Sequence, residues 1–238
     1  MKILYGVQAT GNGHINRSRE LVIALRKRGI EVDVIFSGRD PQTLWGVDDF
    51  QPYRAFHGLS FVVKDGKIDH LRTVLRQKIF RFIREIRKLD LKEYDIVITD
   101  FEPISSWAAK FAGKKRLGIG HQYAFFYDIP GSQCGFIDKL VMRTFAPAEI
   151  KIGLHWDSFG TPILPPIIKK LDEPQKIMQG KILVYLAFEN LGLIRSTLKK
   201  FSSYNFHIYY DLKTASEDGN LYLKPFSREG FLKDLSEC

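Results

Sequence analysis

Gly11-Asn12-Gly13-His14 is the stretch where a proton-exchanging side chain and an open backbone coincide. It follows the apolar run Ile3-Leu4-Tyr5-Gly6-Val7 and opens a helix-patterned segment from Ile15 to Arg28. A strand that breaks at a glycine pair and resumes as a helix sets a loop nearly free of side chains over a helix N-terminus. The backbone N–H groups of such a loop can face a ligand, and the helix end carries partial positive charge. Histidine is the residue type that exchanges protons near neutral pH. Two further groups follow apolar runs in the same way: Asp100 and Glu102 after Val97-Ile98-Thr99, and His121-Gln122 after Leu117-Gly118-Ile119. Gly11 and Gly13 also have a plain reading, as residues that permit positive φ in a turn while His14 caps the helix.

The elements that must position these groups alternate strand and helix. Residues 2–8 read as a strand, 15–28 as a helix ended by Gly29, and 31–36 as a second strand broken by Gly38, Asp40 and Pro41. That βαβ unit implies a parallel sheet with a right-handed crossover. Short strands are expected near 53–56 and 60–63, with a turn at Lys64-Asp65-Gly66-Lys67, and a long helix over 69–89. A strand over 94–99, a helix over 104–112, a strand over 116–119 and a helix over 136–145 complete the first pattern. Pro162, Pro165 and Pro166, then Asp172-Glu173-Pro174, mark a linker. A second βαβ pattern follows, with strands at 181–188, 206–210 and 221–225 and helices at 191–201 and 228–236. The expected fold is α/β: a Rossmann-like N-terminal domain over 1–165 and a partial second one over 166–238. In an open parallel sheet, ligands bind outside the carboxyl ends of the strands. His14, Asp100, Glu102, His121 and Gln122 all fall at such ends.

Two well-known glycine loops do not fit. A dinucleotide fingerprint needs a third glycine and an acidic residue at the end of the second strand. Here the spacing is Gly11-x-Gly13-x-x-Asn16, and that strand ends in Ser37-Gly38. A P-loop needs Gly-Lys-Ser/Thr, which Arg17-Ser18 does not supply. The net charge of +9 points to an anionic partner. Cys134 and Cys238 form neither a zinc motif nor a disulfide framework, which suits a reduced, cytoplasmic setting. No leader peptide and no transmembrane run is expected from the residues given.

With these motifs in view, the chain resembles two-domain glycosyltransferases of the GT-B fold. The similarity is to a poorly characterised prokaryotic group with a Gly-Thr-Gly-Asn-Gly-His loop, matched here by Ala9-Thr10-Gly11-Asn12-Gly13-His14, Asp100-Phe101-Glu102-Pro103 and Gly120-His121-Gln122. More distantly it is similar to lipid-linked N-acetylglucosaminyl transferases of peptidoglycan synthesis. The resemblance implies transfer of a sugar from a nucleotide-sugar donor to a hydroxyl acceptor, such as a glycan or glycolipid of the cell envelope. It implies His14 as base with Asp100 as its orienting partner; Glu102 reads either as the rival base or as a loop carboxylate that caps the helix starting near Ile104. Gly11, Asn12 and Gly13 would lie against acceptor or diphosphate, His121 would orient acceptor hydroxyls or the glycine loop, or stand as a hydrogen-bonded structural histidine, and Gln122 would bind substrate. No cofactor or metal is expected, since no Asp-x-Asp pair is obvious and Asp48-Asp49 is adjacent rather than spaced. On the donor side the chain departs from the pattern. After Lys224-Pro225-Phe226 the glycine-rich loop, ribose-binding acid and glutamine stretch of such enzymes are missing, and Glu189-Asn190 is the donor-side loop left. Weak donor binding and weak activity, or a partner supplying the rest, are therefore expected. The alternatives are a nucleotide-sugar 2-epimerase and a non-catalytic sugar- or nucleotide-binding subunit.

The 67–90 stretch holds eight Lys/Arg against three Asp/Glu. Leu71, Val74, Leu75, Ile79, Phe82, Ile83, Ile86 and Leu89 recur at helical spacing as its core face. Arg72, Arg76, Lys78, Arg81, Arg84, Arg87 and Lys88 line the other side. That side reads either as a solvated face or as an attachment to anionic lipid headgroups, with the enzyme peripheral on the cytoplasmic face. Nucleic acid is not the expected partner, because no RNP or helix-turn-helix pattern is present.

Overall fold

The computed structural model of the chain describes residues 1–64, 67–68, 72–73, 75, 77–130, 135–169 and 177–238. It divides into two compact units, 1–61 with 74–169, and 62–73 with 170–238. The segment 62–73, assigned to the first domain from sequence, sorts with the second unit.

The first unit opens with β1 (Lys2–Gln8), α1 (Asn12–Lys27), β2 (Glu31–Ser37) and β3 (Tyr53–Ala55). The chain next passes through 62–73, which sorts with the second unit and holds two short strands, β4 (Val63–Lys64) and β5 (Lys67–Ile68), paired as an antiparallel ladder. Then come α2 (Ile79–Arg87), β6 (Ile96–Asp100), α3 (Pro103–Phe111), β7 (Arg116–Gly120), α4 (His121–Ala124), α5 (Phe136–Phe145) and β8 (Ile150–Gly153). The six-stranded sheet has the order β3-β2-β1-β6-β7-β8, all parallel.

β1 is apolar at nearly every position because both of its faces are covered. Ile3, Tyr5 and Val7 pack on one face with Val34, Phe36 and the α1 residues Ile15 and Val22. Leu4 packs on the other with Ile35, Val97, Phe82 and Ile86 of α2, and Ile104 and Ala108 of α3. From β1 the chain first builds outward through β2 to β3, then returns to lay β6 on the opposite side of β1. This reversal makes the carboxyl ends of β1 and β6 a switch point, the place where open α/β sheets bind ligands. Val7 pairs with Asp100 in that register.

Three local expectations change. α1 begins at Asn12, so Gly13 and His14 are helical. Gly11 is the N-cap, at φ −129 and ψ 148, and neither Gly11 nor Gly13 has positive φ. Of the strand expected over 60–63, Val63 alone is extended, as the first residue of β4. Ser60 bonds instead to Gln77, whose amide donates to the Ser60 carbonyl at 2.6 Å. That same contact interrupts the helix expected over 69–89. Residues 72, 73 and 75 are helical, Gln77 and Lys78 are not, and α2 starts at Ile79, while 69–71, 74 and 76 lie outside the described residues. Beyond the break the apolar stripe is split: Phe82, Ile86 and Leu89 reach the core, whereas Ile79, Phe80 and Ile83 are exposed. Buried Glu85 faces the core side too, accepting the N–H groups of His57 and Gly58 at 3.2 and 3.0 Å.

The second unit contains β9 (Lys181–Val184), α6 (Leu191–Leu198), β10 (Asn205–Tyr210), β11 (Ser216–Asp218), β12 (Leu221–Pro225) and α7 (Arg228–Ser236). Its sheet order is β11-β12-β10-β9, with β9, β10 and β12 parallel and β11 antiparallel. Ile194 of α6 closes a small core with Phe206, Ile208, Leu221 and Leu223. α7 is tied to the sheet through Asp234, which accepts from Lys181 Nζ at 2.8 Å, Lys224 Nζ at 2.6 Å and the Tyr209 hydroxyl at 2.8 Å. Burial works against that charge, but these donors hold the Asp234 carboxyl well below the usual carboxylate range.

Candidate active site

β6 ends at Asp100, whose side chain is fully buried. The next residue, Phe101, sits at φ 55, a left-handed conformation that costs a non-glycine residue about 1 kcal/mol. The Phe101 ring repays it by stacking on Phe145 at 5.0 Å and meeting Tyr123 edge-on at 5.9 Å. This sharp turn separates the two carboxylates that the sequence sets two residues apart: Asp100 points to α1, and Glu102 turns into the backbone of α3.

α1 receives Asp100 on one face. His14, Arg17 and Ser18 lie at i, i+3 and i+4, so their side chains stand together. Asp100 Oδ1 lies 2.8 Å from His14 Nδ1 and accepts from Arg17 Nη2 at 2.5 Å. Its Oδ2 accepts from Arg17 Nε at 2.6 Å and from Ser18 Oγ at 3.0 Å. Across the ring, Gln122 Nε2 lies 3.3 Å from His14 Nε2, and Gln122 Oε1 accepts from Arg17 Nη2 at 3.4 Å. The network sets the tautomer. With its oxygen toward Arg17, Gln122 offers an N–H to His14 Nε2, which must then be the lone-pair nitrogen. Nδ1 carries the proton and donates it to Asp100. The 2.7 Å approach of Arg17 Nη2 to Nδ1 is then a contact of two donors sharing one carboxylate oxygen.

Gly120, at the end of β7, makes room for this cluster. A Cβ there would meet Arg17 Nη2 and Asp100 Oδ1 at 3.0 Å and Gln122 Oε1 at 3.4 Å. Gly13 is the opposite case, with nothing within 4 Å of an added Cβ, so packing does not require glycine there. What Gly13 leaves is an open approach to the first turn of α1 and to His14. Asn12 Oδ1 accepts from Arg39 Nη2 at 3.5 Å.

Burial alone would raise the Asp100 carboxyl, but the Arg17 guanidinium and the His14 imidazole overcome it and hold the group at about 2. Asp100 is therefore ionised at any working pH. Arg17 is held charged in turn, its own partial burial being outweighed by Asp100.

Of the two readings of Glu102, the helix cap is the one the structure shows. It is fully buried, its Oε1 accepts from Ile104 N and Ser37 Oγ, and its Oε2 accepts from Ser105 N at 2.7 Å. Burial pushes its pKa up, against the hydrogen bonds from Ser105, Ser37 and Ile104. A buried carboxylate used as a helix cap has no route to an acceptor hydroxyl. His121 lies on the exposed face next to Gln122, and its Nδ1 meets the Leu154 carbonyl at 3.0 Å. Glu189 lies in the second unit, exposed, its carbonyl accepting from the Tyr210 hydroxyl at 2.6 Å. The structure thus brings His14, Asp100 and Gln122 together with Gly11 and Gly13. It adds Arg17 and Ser18, whose signal in the sequence is their helical spacing from His14.

The description "Glycosyl transferase family 1" belongs to the family model that matches residues 1–125 and 135–238. No curated protein matches the chain. Among solved structures, the chain is similar to glycosyltransferase SsfS6 of Streptomyces sp. SF2575 complexed with thymidine diphosphate. That pair is 14% identical with a TM-score of 0.57, over 95% of this chain and 72% of that one. It is similar to UGT89C1 of Arabidopsis thaliana complexed with UDP, at 11% identity and a TM-score of 0.54, over 97% of this chain and 72% of that one. It is also similar to the spinosyn rhamnosyltransferase SpnG complexed with thymidine diphosphate, at 11% identity and a TM-score of 0.54, over 98% and 73%. At these identities the likeness establishes the fold, a GT-B arrangement of two Rossmann-like sheets. No helix among the described residues is long and apolar enough to cross a membrane.

Proposed function

Because the chain belongs to glycosyl transferase family 1, we propose that it moves a sugar from a nucleotide-sugar donor to an acceptor hydroxyl, with His14 as the general base. The observation that carries this reading is the His14 ring held between Asp100 and Gln122 at the switch point of the sheet. The acceptor hydroxyl displaces the Gln122 N–H, whose nitrogen lies 3.3 Å from His14 Nε2, and Nε2 then takes the hydroxyl proton. The acceptor oxygen bonds to the anomeric carbon as the bond from that carbon to the diphosphate breaks, and the nucleoside diphosphate leaves with the electron pair. Asp100 stabilises the imidazolium that forms, the usual role of a buried carboxylate behind a catalytic histidine. Arg17 and Ser18 keep Asp100 fixed and charged. A nucleoside-diphosphate sugar is the donor class that fits, since SsfS6, SpnG and UGT89C1 were solved with thymidine diphosphate or UDP. Transfer runs without a metal ion or cofactor in this reading. Backbone N–H groups at Gly11, Asn12 and Gly13 face acceptor or diphosphate, and the Glu189-Asn190 loop serves the donor.

The acceptor is a glycan or glycolipid of the cell envelope, met on the cytoplasmic face. Exposed apolar residues on α2 favour a lipid-linked one. Phe80 is 93% exposed, with Ile79 and Ile83 exposed beside it and Arg84, Arg87 and Lys88 exposed on the same short helix and its end. Apolar groups flanked by cations are what an anionic bilayer surface takes up.

The test is a panel of radiolabelled nucleotide sugars with lipid-extract acceptors, run on the protein and on His14→Ala. Transfer should be lost in the variant while it still folds and melts in a cooperative transition. Unchanged turnover would remove His14 from the mechanism. Conversion of donor to its 2-epimer without acceptor would replace transfer by epimerisation.

A further inference from the structure

We propose that His121, His155 and Phe159 form a platform for the acceptor, which takes a neutral pyranose ring by its apolar face and bonds its hydroxyls through the two imidazoles. The proposal rests on reading His14 as the base, because it places the acceptor beside that residue.

The rings are contiguous. His121 and His155 stack with centroids 5.4 Å apart and 25° between planes. His155 meets Phe159 at 5.3 Å, and Phe125 supports His121 edge-on at 4.8 Å. They stand at the carboxyl ends of β7 and β8, the side of the sheet that carries His14. Gln122, which follows His121 directly, is the residue that reaches His14 Nε2.

The two imidazoles are fixed in opposite tautomers. His121 Nδ1 faces the Leu154 carbonyl, so it bears the proton and Nε2 is an acceptor. His155 Nδ1 accepts the N–H of Asp157 at 3.4 Å, so its Nε2 bears the proton and is a donor. One acceptor and one donor on adjacent stacked rings match neighbouring hydroxyls of a sugar. None of the platform residues is Lys or Arg, so it suits a neutral ring better than the donor diphosphate.

Phe159 supplies the independent observation. Residues Ser158 to Thr161 form a tight turn closed by Thr161 N–H to the Ser158 carbonyl at 2.9 Å. Its two central residues, Phe159 and Gly160, both have positive φ, 48 and 69. Asn-Gly fills such a turn without strain, and a bulky aromatic at the first position is costly. Asp157 Oδ1 holds the strained segment by accepting the Phe159 N–H at 3.0 Å. The ring is not buried for its trouble: Phe159 is 36% exposed and its neighbour Trp156 82%. Strain kept for a half-exposed ring is the mark of a residue held for a ligand rather than for the fold.

The experiment is saturation-transfer NMR with p-nitrophenyl β-D-glucopyranoside as probe, on the protein, His155→Ala, Phe159→Asn and His14→Ala. The protein should saturate the sugar CH protons. Phe159→Asn and His155→Ala should weaken the probe about fivefold, the loss expected for one ring contact, and His14→Ala should retain it. Phe159→Asn should also keep or raise the thermal midpoint. A fall in midpoint with binding intact would make Phe159 structural and overturn the proposal. No binding by the protein, or binding undiminished in both platform variants, would overturn it too. Probe binding lost in the platform variants while His14→Ala still transfers sugar would leave the platform standing and remove the base.

Discussion

Replacing Asp100 by Asn removes one charge at constant volume from the point where β6 meets α1. The carboxylate takes two contacts on each oxygen: His14 Nδ1 and Arg17 Nη2 on one, Arg17 Nε and Ser18 Oγ on the other. An amide must turn its NH2 toward one of these donor pairs, and Arg17 loses an acceptor whichever way it turns. Breaking a buried ion pair on one side costs about 3–5 kcal/mol. The Arg17 side chain keeps 16% exposure and so some access to water, which favours the lower end. The pH linkage gives a similar size. A carboxyl held at about 2 instead of 3.8 contributes roughly 2 kcal/mol. At roughly 2–4 °C per kcal/mol for a domain of this size, Asp100→Asn should lower the midpoint of the first unit's transition by about 6–12 °C at pH 7. The sign of the pH dependence is fixed by the direction of the shift. The folded value lies below the unfolded one, so the contribution is complete above about pH 4 and lost as pH falls through about 2. Thermal melts of both proteins by circular dichroism, from neutral pH to about pH 2, should show a gap that is constant and then closes. A gap under about 2 °C at neutral pH, or one undiminished at the acid end, would refute the claim that Asp100 is the charged anchor of the site.

Glu102→Gln should lower the midpoint, because the amide sets an NH2 against backbone donors at a cost of about 1–3 kcal/mol, while kcat/KM of the folded protein stays within about twofold. Collapse of activity at an unchanged midpoint would return Glu102 to the role of base. Gly120→Ala should destabilise by about 1–3 kcal/mol, since its Cβ would press on Arg17 and Asp100 at 3.0 Å. Gly13→Ala, with nothing within 4 Å, should gain up to about 1 kcal/mol in helix propensity and yet lower transfer by narrowing the approach to His14. Equal midpoints for the two alanine variants would contradict the packing around Gly120. Phe80→Glu combined with Arg84→Glu should abolish sedimentation with phosphatidylglycerol vesicles and leave the midpoint within about 1 °C, as surface changes do. Undiminished sedimentation would make this face of α2 a solvated one.

The sheet was legible because its signal is local. An unbroken apolar strand such as Ile3 to Val7, a periodic helix and a glycine between them can be read without knowing any partner. β8 was not, for Ile150-Lys-Ile-Gly153 is too short to announce itself and is a strand because β7 offers it an edge. The helix expected over 69–89 is broken at 77–78 for a related reason. Its periodicity is sound over Phe82, Ile86 and Leu89, but Gln77 finds the backbone of Ser60, a contact that no window of sequence contains. At the site, the residue types at the strand ends were enough to pick out His14 and Asp100, because a parallel sheet gathers its carboxyl ends on one side. The resemblance paired Asp100 with His14, but the local pattern did not show what turns Glu102 away from them. Asp100 and Glu102 differ only by the turn at Phe101, and that conformation is held by Phe145 and Tyr123 from elsewhere in the chain. The sequence by itself therefore determined the elements, their order and the set of groups available for chemistry, since these follow from local periodicity and strand-end position. Tertiary structure alone decided that Arg17 and Ser18 join the set and Glu102 leaves it, since burial and ion pairing depend on atoms far apart along the chain.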